Sequence, residues 1–250
     1  MPNPFGVRRH VAANQSADMS AHSKSAYTRA DLLITLGVVA LLALVVLPAL
    51  ANQRPRSARV SCVNNLRQIG VGFHVWGNDH NDLPPHALYV AEGGTRLHDL
   101  ASNPWLHYSW ISNELATPRL LFCPSDTGRP ASDWSGHPNS GYVHANFRNR
   151  ATSYFLSHSL GQSIWPWTLV SGDRNVGGGM PSSDSVFFSS LSLHSSGVGW
   201  WTNGLHGMMG NVLRFDGPVL QLSDGSFRQV TSSPPPGTPT AALWQFIIPR

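Results

Sequence analysis

The sequence predicts an α+β protein, in which a long apolar N-terminal helix precedes a domain with an antiparallel β-sheet. Residues 32–50 form an uncharged and almost wholly apolar run. A second helical signal follows, because apolar residues recur at spacings of three and four: Val63, Leu66, Ile69, Phe73 and Trp76. The rest of the 250-residue chain is rich in Trp (9), Gly (23) and Pro (19) and alternates short apolar runs with turns, which is typical of β-structure.

The composition excludes several classes of protein. Only 12% of the residues are charged, about half the usual fraction for soluble proteins, and 41% are hydrophobic. A disordered chain, a coiled coil and a disulfide-dense miniprotein are therefore excluded. From residue 51 onward, 13 scattered Arg stand against 11 acidic residues, so we expect no basic patch and no nucleic-acid partner.

The run at residues 32–50 has the length and composition of a membrane-spanning helix. At ~1.5 Å per residue its 19 residues span about 28 Å, close to the ~30 Å of the bilayer core. Thr35 is its only strongly polar residue. A buried core helix is the alternative, but this run has no polar face to present to water.

Asp31 stands at the edge of this apolar run, where a carboxylate is unfavourable if it enters hydrocarbon. Two interpretations remain open. The acid is either a boundary charge balanced by Arg29, or it meets a positive partner such as the free amino terminus of a neighbouring subunit.

The long helix is expected to be kinked or interrupted between Pro48 and Pro55, because an interior proline removes a backbone donor and clashes with the preceding turn. The apolar stripe beyond the prolines is then the face on which the globular domain packs. The polar and proline-containing residues 78–85 end the helix.

Strand and turn signals dominate the second half of the chain. Residues 185–188 and 211–215 have β-propensity, and Asp216-Gly217 supplies turn residues. Residues 219–227 repeat the pattern, which predicts a terminal hairpin or meander. Residues 232–239 are Pro-rich, which is typical of a poorly ordered linker.

No catalytic motif occurs in the chain, and we expect no enzymatic activity: His-Glu-x-x-His, Gly-x-Ser-x-Gly and helical metal-ligand pairs are all missing. The best polar constellation combines Asp173, Arg174 and Asn175 with three later residues, His206, Asn211 and Asp216. Its oxygen atoms predict a Ca²⁺ site on Asp173, Asn175 and Asp216. The alternative is that these residues only stabilise turns through side-chain to backbone hydrogen bonds.

The cysteines and tryptophans each leave two interpretations open. Cys62 and Cys123 match no paired metal-binding spacing, so they form one disulfide in an exported domain or remain buried thiols in a cytosolic one. The tryptophans build the core or form a stacking platform that would make the chain a membrane-anchored carbohydrate-binding module: Trp105, Trp110, Trp134, Trp165, Trp167, Trp200 and Trp201.

The start of the apolar run resembles the class III signal of type IV pilins and type II secretion pseudopilins. In that family a short basic leader ends in a small residue, cleavage leaves an N-methylated aromatic residue, and an acid stands at the fifth mature position. Ala26, Tyr27 and Asp31 match these positions, and Pro48 falls where many members carry a proline. The chain departs in two places, because the leader usually ends in Gly and the acid is usually Glu.

Five later motifs resemble, in the expected order, those of pseudopilin-like proteins abundant in Planctomycetes and Verrucomicrobia. The last is the His-x9-Asp-Gly arrangement near the C-terminus. The motifs are residues 62–70, 122–126, 153–156, 171–175, and His206 with Asp216-Gly217. With the signal, the resemblance covers about residues 26–230.

The resemblance implies a structural protein of four segments. These are a leader (1–26), a long helix (27–82) with a membrane span at about 32–50, a globular domain (83–230) and a Pro-rich tail (231–250). It further implies cleavage after Ala26, N-methylation of Tyr27 and an assembly role for Asp31.

The expected partners are a prepilin peptidase, other pilin or pseudopilin subunits, an assembly platform and the membrane. The expected location is the inner membrane, as a single-pass protein with its domain in the periplasm, or an extracellular filament. Calcium is the only cofactor suggested, since some major pseudopilins use it to hold a C-terminal loop.

Overall fold

The first helix, α1 (Arg29–Ala51), forms from the apolar run. The computed structural model describes residues 28–51, 54–159, 166–177, 180–181, 190–193, 199–232 and 244–249, so the predicted cleavage site at Ala26 and Tyr27 lies outside the described residues. The chain divides into two units, residues 1–50 and 51–250. Within α1, residues 29–47 are long and apolar enough to cross a membrane, with a mean hydropathy of 2.7 and no part buried in the protein.

Thr28 and Asp31 cap the start of α1. The Thr28 Oγ1 atom accepts a hydrogen bond from the Asp31 backbone N–H at 3.2 Å. In return, Asp31 Oδ2 accepts the Thr28 backbone N–H at 3.0 Å and the Thr28 hydroxyl at 2.9 Å. This reciprocal arrangement is a capping box, which satisfies backbone donors that the first helical turn leaves free.

The second helix, α2 (Arg54–Asn78), begins three residues after α1 ends, between the two prolines at which an interruption was predicted. Pro55 is its second residue, where a missing N–H removes no intrahelical hydrogen bond. One face of α2 is buried against the domain, with no side chain more than 8% exposed: Cys62, Val63, Leu66, Ile69, Phe73 and Trp76. The predicted packing face is thereby confirmed.

Polar side chains and left-handed backbone end α2. The His80 ring stacks on Trp76 with 3.6 Å between ring centroids, and the Asp82 backbone N–H donates to the Gly77 carbonyl at 2.9 Å. Asn81 and Asp82 have positive φ values of 57° and 58°. Asn and Asp adopt this conformation more readily than most residues, which explains the predicted helix end.

An antiparallel sheet of seven strands forms the centre of the domain, which confirms the α+β fold class. Its order is β4-β5-β9-β1-β2-β7-β8, and β3 pairs with β6 in a separate ribbon. The strands are β1 (Tyr154–Ser159), β2 (Leu169–Asp173), β3 (Val176–Gly177), β4 (Met180–Pro181), β5 (Ser190–Leu193), β6 (Trp200–Trp201), β7 (Met209–Arg214), β8 (Val219–Ser223) and β9 (Trp244–Ile247).

Two short helices and four 3₁₀ turns complete the described part of the domain. The helices are α3 (Pro104–Trp110) and α4 (Asp224–Ser232), and the 3₁₀ turns are Pro85–Ala87, Val90–Glu92, Pro118–Leu121 and Arg148–Ala151. The 3₁₀ turns and α3 all precede β1 in the chain.

The sheet is covered on both faces because successive side chains of a strand point to opposite sides. Tyr154 and Leu156 of β1 join one apolar cluster, with the buried face of α2 and with α3. Phe155 points the other way, into a cluster that contains Trp201 of β6 and Phe227 of α4. The core therefore has two layers, one on each side of the sheet.

The terminal hairpin predicted from residues 211–217 and 219–227 is present as β7 and β8, with Leu213 opposite Val219 and Gly217 at a φ of 101° in the turn. The structure differs at residues 224–227, where a strand-and-turn repeat was expected and α4 begins instead. Ser223 Oγ accepts the Ser226 backbone N–H at 3.3 Å, which caps the helix. Asp224 then pairs with Arg228 one helical turn later.

The end of the chain contributes a central strand, although residues 231–250 were predicted as a tail. β9 lies between β1 and β5, with Leu156 opposite Ile247. Phe246 and Ile247 are fully buried. The β-propensity and burial of these two residues favour a strand here over a tail. The Pro-rich residues 233–240 and the predicted strand at 185–188 lie outside the described residues.

Gly210 provides a test of this packing. A Cβ atom at Gly210 would lie 2.4 Å from the buried Trp201 ring, whereas one at Gly225 would meet nothing within 4 Å. Gly210→Ala should lower the free energy of unfolding by about 1–3 kcal/mol, because a rigid indole cannot move aside. Gly225→Ala, within α4, should be neutral or slightly stabilising. Chemical denaturation of the two variants checks this, and equal effects would contradict the packing of Gly210 on Trp201.

Candidate functional site

A disulfide joins α2 to the loop that precedes β1. Cys62 of α2 and Cys123 are bonded to each other, and both are fully buried. One turn further along α2, the Asn65 side chain donates to the Phe122 carbonyl at 3.1 Å and to the Tyr154 hydroxyl at 3.3 Å. The predicted alternative of two free thiols is not what the structure contains. The helix is thus fixed to this loop by a covalent bond and by hydrogen bonds.

Asp173, the last residue of β2, is a fully buried acid beside this disulfide. Its Oδ2 atom accepts hydrogen bonds from the Asn211 backbone N–H at 2.7 Å and from the Asn211 side-chain amide at 2.8 Å. Its other oxygen, Oδ1, has no hydrogen-bond partner among the described residues. A buried oxygen without a hydrogen-bond partner is energetically unfavourable, so its presence requires an explanation.

His206 connects the acid to the disulfide. Its Nε2 atom lies 3.5 Å from Cys123 Sγ and 3.6 Å from Asp173 Oδ2, and its side chain is only 3% exposed. The half-buried Arg59, three residues before Cys62 on α2, donates to Met209 Sδ at 3.3 Å. We call these residues the buried polar cluster: Arg59, Cys62, Cys123, Asp173, His206 and Asn211.

Burial dominates the electrostatics of this cluster. Desolvation raises the pKa of Asp173 to about 7, against the hydrogen bonds from Asn211 and the positive charge of Arg59, which lower it. Desolvation also lowers the pKa of His206 to about 4, and Arg59 acts in the same direction. His206 is therefore neutral at neutral pH, and its contact with Asp173 is not an ion pair.

A second polar group lies beside the cluster. Arg174 Nη2 donates to Asp126 Oδ1 at 2.6 Å, and the Ser153 hydroxyl donates to Asp126 Oδ2 at 2.7 Å. The Ser153 hydroxyl oxygen in turn accepts the Cys123 backbone N–H at 2.9 Å. Residues from the separate motifs at 122–126, 153–156 and 171–175 thus meet around one loop.

Asn175 holds the loop that carries His206. Its side-chain amide donates to the Thr202 and Met209 carbonyls, both at 3.0 Å, while its own Oδ1 has no hydrogen-bond partner among the described residues. These bonds close the chain from residue 202 to residue 209 into a loop. Asn175 thereby positions the segment that delivers His206 to the disulfide.

The three predicted calcium ligands do not form one site. Asp173 ends β2, whereas the Asp216 backbone N–H donates to the Pro166 carbonyl, which precedes the start of β2. Asp216 is also paired with Arg214. The two carboxylates thus lie at opposite ends of a strand, and Ca²⁺ needs six to eight oxygens around one point. The predicted ligand set does not fit the ion, whereas the turn-stabilising interpretation fits Asp216.

Two features of the site were not predicted from the sequence. They are the contact of His206 with the cysteines and the presence of Arg59. A sequence signal for Arg59 exists, because a residue three positions before Cys62 shares its helix face. No local signal places His206 beside Cys123, since 83 residues separate them.

The tryptophans form no stacking platform among the described residues. Trp105 and Trp201 are buried, Trp134 packs edge-on against Tyr142, and Trp167 is half-buried. Trp110 and Trp200 are exposed by 37% and 40%, but they lie on different elements, α3 and β6. An Arg228 guanidinium lies over the Trp200 ring, and Trp165 is outside the described residues.

Comparison with known proteins identifies a family that this chain matches. A family described as "Protein of unknown function (DUF1559)" matches residues 53–232, which include α2, the disulfide and every residue of the buried polar cluster. No curated protein and no solved structure matches the chain.

The shifted pKa values of Asp173 and His206 predict how the stability of the disulfide-bonded chain varies with pH. Between pH 4 and 7 folded Asp173 holds a proton that the unfolded chain has released, so a rising pH opposes folding. Between pH 4 and 6.5 the unfolded chain holds a proton on His206 that the folded chain lacks, so a rising pH favours folding. The two contributions oppose each other in the wild type.

Asp173→Asn should leave only the His206 contribution. Its free energy of unfolding, relative to that of the wild type, should rise by about 1.4 kcal/mol per pH unit between pH 4 and 7 and then level off. Urea denaturation at several pH values measures this difference. Adding His206→Gln to the variant should remove its remaining rise below pH 6.5, and parallel wild-type and Asp173→Asn profiles would contradict the buried acid.

Proposed function

Because the chain belongs to the DUF1559 family, a family of Planctomycetes-type pseudopilin-like proteins, we propose that it is a structural pilin-like subunit of a filament. In this proposal α1 inserts into the membrane and then associates with the α1 helices of other subunits. The domain at residues 51–250 is carried outside the membrane. The protein has no catalytic role.

The exposure of α1 is the observation that carries the proposal. All twelve large apolar side chains from Leu32 to Leu47 are exposed, by between 49% at Val46 and 76% at Leu44. They surround the helix, so no face is left for water. A surface of this kind needs lipid or other apolar helices around it, and a filament subunit uses both in turn.

Small residues in α1 support close packing of helices. Gly37 and Ala40 are three residues apart and therefore neighbours on the surface of α1. A Cβ atom at Gly37 would meet nothing within 4 Å, so the space beside its backbone is open. Helices in membranes associate through such small residues because their backbones can then approach closely. A contact that is repeated head to tail generates an open filament.

Asp31 supplies the polar contact of the proposed assembly. Its carboxylate caps α1 through Thr28, which places the negative charge at the first turn of the helix. Cleavage after Ala26 would create an amino terminus four residues before Asp31. The carboxylate then neutralises the ammonium group of a neighbouring Tyr27, an interaction that is far stronger in an apolar bundle than in water.

The proposal includes the partners and location that the resemblance implies. A prepilin peptidase cleaves after Ala26, Tyr27 is N-methylated, and an assembly platform adds the subunit to a type II secretion pseudopilus or a type IV pilus-like filament. The domain lies in the periplasm, with the helix in the inner membrane. A disulfide supports an exported domain, because such bonds persist in oxidising compartments.

The rival function is a membrane-anchored carbohydrate-binding module that uses α1 only for insertion. It needs open aromatic faces, and the described tryptophans provide two exposed rings on separate elements. The charge of Asp31 separates the two functions, because only a filament subunit needs it for contacts between subunits.

Asp31→Asn should allow membrane insertion but abolish assembly. The amide is no harder to insert than the carboxylate, while loss of the charge leaves a neighbour's ammonium unpaired, at roughly 3–5 kcal/mol if it is buried. Crosslinking of subunits in membranes that contain the cognate assembly proteins measures the result. The wild type should give a ladder of oligomers, and Asp31→Asn should give monomers.

Thr28→Val is the matched control, since it removes the capping hydroxyl and keeps the charge. It should weaken the first turn of α1 by about 1 kcal/mol and still give a ladder. If Asp31→Asn gives the wild-type ladder, Asp31 is only a boundary charge and the anchored module becomes the better account. If both variants fail alike, capping rather than pairing explains the requirement for Asp31.

A further inference from the structure

The disulfide and His206 bring three potential metal ligands together, and the proposed filament does not require this arrangement. The Sγ atoms of Cys62 and Cys123 and a ring nitrogen of His206 all lie within 4.8 Å of one another. Two sulfur atoms and an imidazole nitrogen are preferred ligands of Zn²⁺. They come from three separate parts of the chain: α2, the loop after the 3₁₀ turn at 118–121, and the loop before β7.

We propose that reduction of the Cys62–Cys123 disulfide converts the buried polar cluster into a Zn²⁺ site. The ligands are the two thiolates, the Nε2 atom of His206 and a carboxylate oxygen of Asp173. The chain is then held together at the same place by a disulfide in its oxidised state and by a metal ion in its reduced state.

The two distances to His206 Nε2 already suit a tetrahedral ion. Zn–S bonds of about 2.3 Å and Zn–N bonds of about 2.05 Å place sulfur and nitrogen about 3.5 Å apart in a tetrahedron. Cys123 Sγ lies 3.5 Å from His206 Nε2. The Asp173 Oδ2 atom lies 3.6 Å from the same nitrogen, against about 3.3 Å in an ideal site. The sulfur atoms need to separate to about 3.8 Å, and the Asp173 carboxylate must approach them, because it lies outside the group of ligand atoms within 4.8 Å of one another.

Three further observations fit Asp173 to the role of a metal ligand. It is fully buried, its Oδ1 atom has no hydrogen-bond partner among the described residues, and Asn211 fixes the carboxylate through two hydrogen bonds to Oδ2. Hydrogen bonds of this kind orient ligands in metal sites. One oxygen or the other can bind the ion while Asn211 holds the group.

The exchange of a disulfide for a zinc dithiolate adds no charge of its own. Asp173 binds the ion in its ionised form, and the positive charge of Arg59 offsets the negative charge of that carboxylate. The sum of one Zn²⁺ and two thiolates is zero. Replacing the neutral disulfide by a zinc dithiolate therefore adds no net charge to a region in which an unbalanced charge is strongly unfavourable.

The redox step balances with a phosphine as reductant. The disulfide takes up two electrons, and the phosphine and one water become a phosphine oxide and two protons, which give two thiols. Zn²⁺ binding then releases the two thiol protons. In the reverse direction, glutathione disulfide accepts two electrons and two protons and becomes two thiols. The cysteines then form their disulfide again and the ion leaves.

The test uses the full chain in detergent micelles, with Zn²⁺ alone as the probe. After phosphine treatment, titration against a chromogenic chelator should show one tightly bound Zn²⁺ per chain, and the untreated chain should bind none at this site. Co²⁺ in the same site should give the visible bands of tetrahedral coordination and thiolate-to-metal charge-transfer absorption. Glutathione disulfide should release the ion.

Two variants identify the ligands. His206→Gln should weaken Zn²⁺ binding by more than about 100-fold, since removal of a ligand exceeds the effect of removing a supporting residue. His74→Gln changes an exposed histidine on the same helix as Cys62 and should bind as the wild type does. Far-UV circular dichroism shows whether each reduced chain is folded.

Three results would overturn the proposal. The first is a folded reduced chain that takes up no Zn²⁺. The second is a His206→Gln chain that binds as tightly as the wild type, which would mean that the sulfur atoms act without the histidine. The third is a reduced chain that unfolds and that Zn²⁺ does not refold.

Discussion

The exposed apolar surface of α1 is the constraint on which the rest of the account depends. Burying a Leu, Ile or Val side chain contributes about 1.5–3 kcal/mol. The twelve residues of α1 are between half and three-quarters exposed, so their burial represents roughly 11–22 kcal/mol, at least as much as the 5–15 kcal/mol that stabilises a typical domain. No arrangement that leaves this helix in water is tenable. The helix needs an apolar environment, and this requirement explains why it carries no charged residue between Asp31 and its end.

The domain differs from α1, because its own core and its disulfide stabilise it. α2 covers one face of the sheet, and Trp201 and Phe227 cover the other. The disulfide closes a loop of 61 residues, which in the chain-entropy account contributes about 4 kcal/mol by restricting the unfolded chain. Because Cys62 lies on α2, the same bond fixes this helix to the loop that precedes β1.

The parts of the fold that the sequence predicts are those with a local cause. Helical periodicity predicts the buried face of α2, and β-propensity followed by Asp216-Gly217 predicts the hairpin of β7 and β8. The structure confirms both. β9 and the buried polar cluster have no local cause. A four-residue strand after a Pro-rich stretch resembles a tail until its partners β1 and β5 are known. His206 reaches Cys123 only because β2 and β7 pair, which places Asn211 and the preceding loop beside Asp173. Asp216 seemed equivalent to Asp173 as an oxygen ligand, and only strand register shows that they lie at opposite ends of β2.

The mature N-terminus is the most direct test of the central claim that the chain is a processed, pilin-like subunit. Mass spectrometry of the protein purified from membranes that contain a prepilin peptidase should find a chain that begins at Tyr27 with a methylated amino group. Ala26→Leu should leave the precursor uncut, because a small residue must fit beside the scissile bond. A chain that begins after Ala49 or Ala51 would contradict the account, because cleavage there removes α1 as an ordinary secretory signal and leaves no helix with which to assemble.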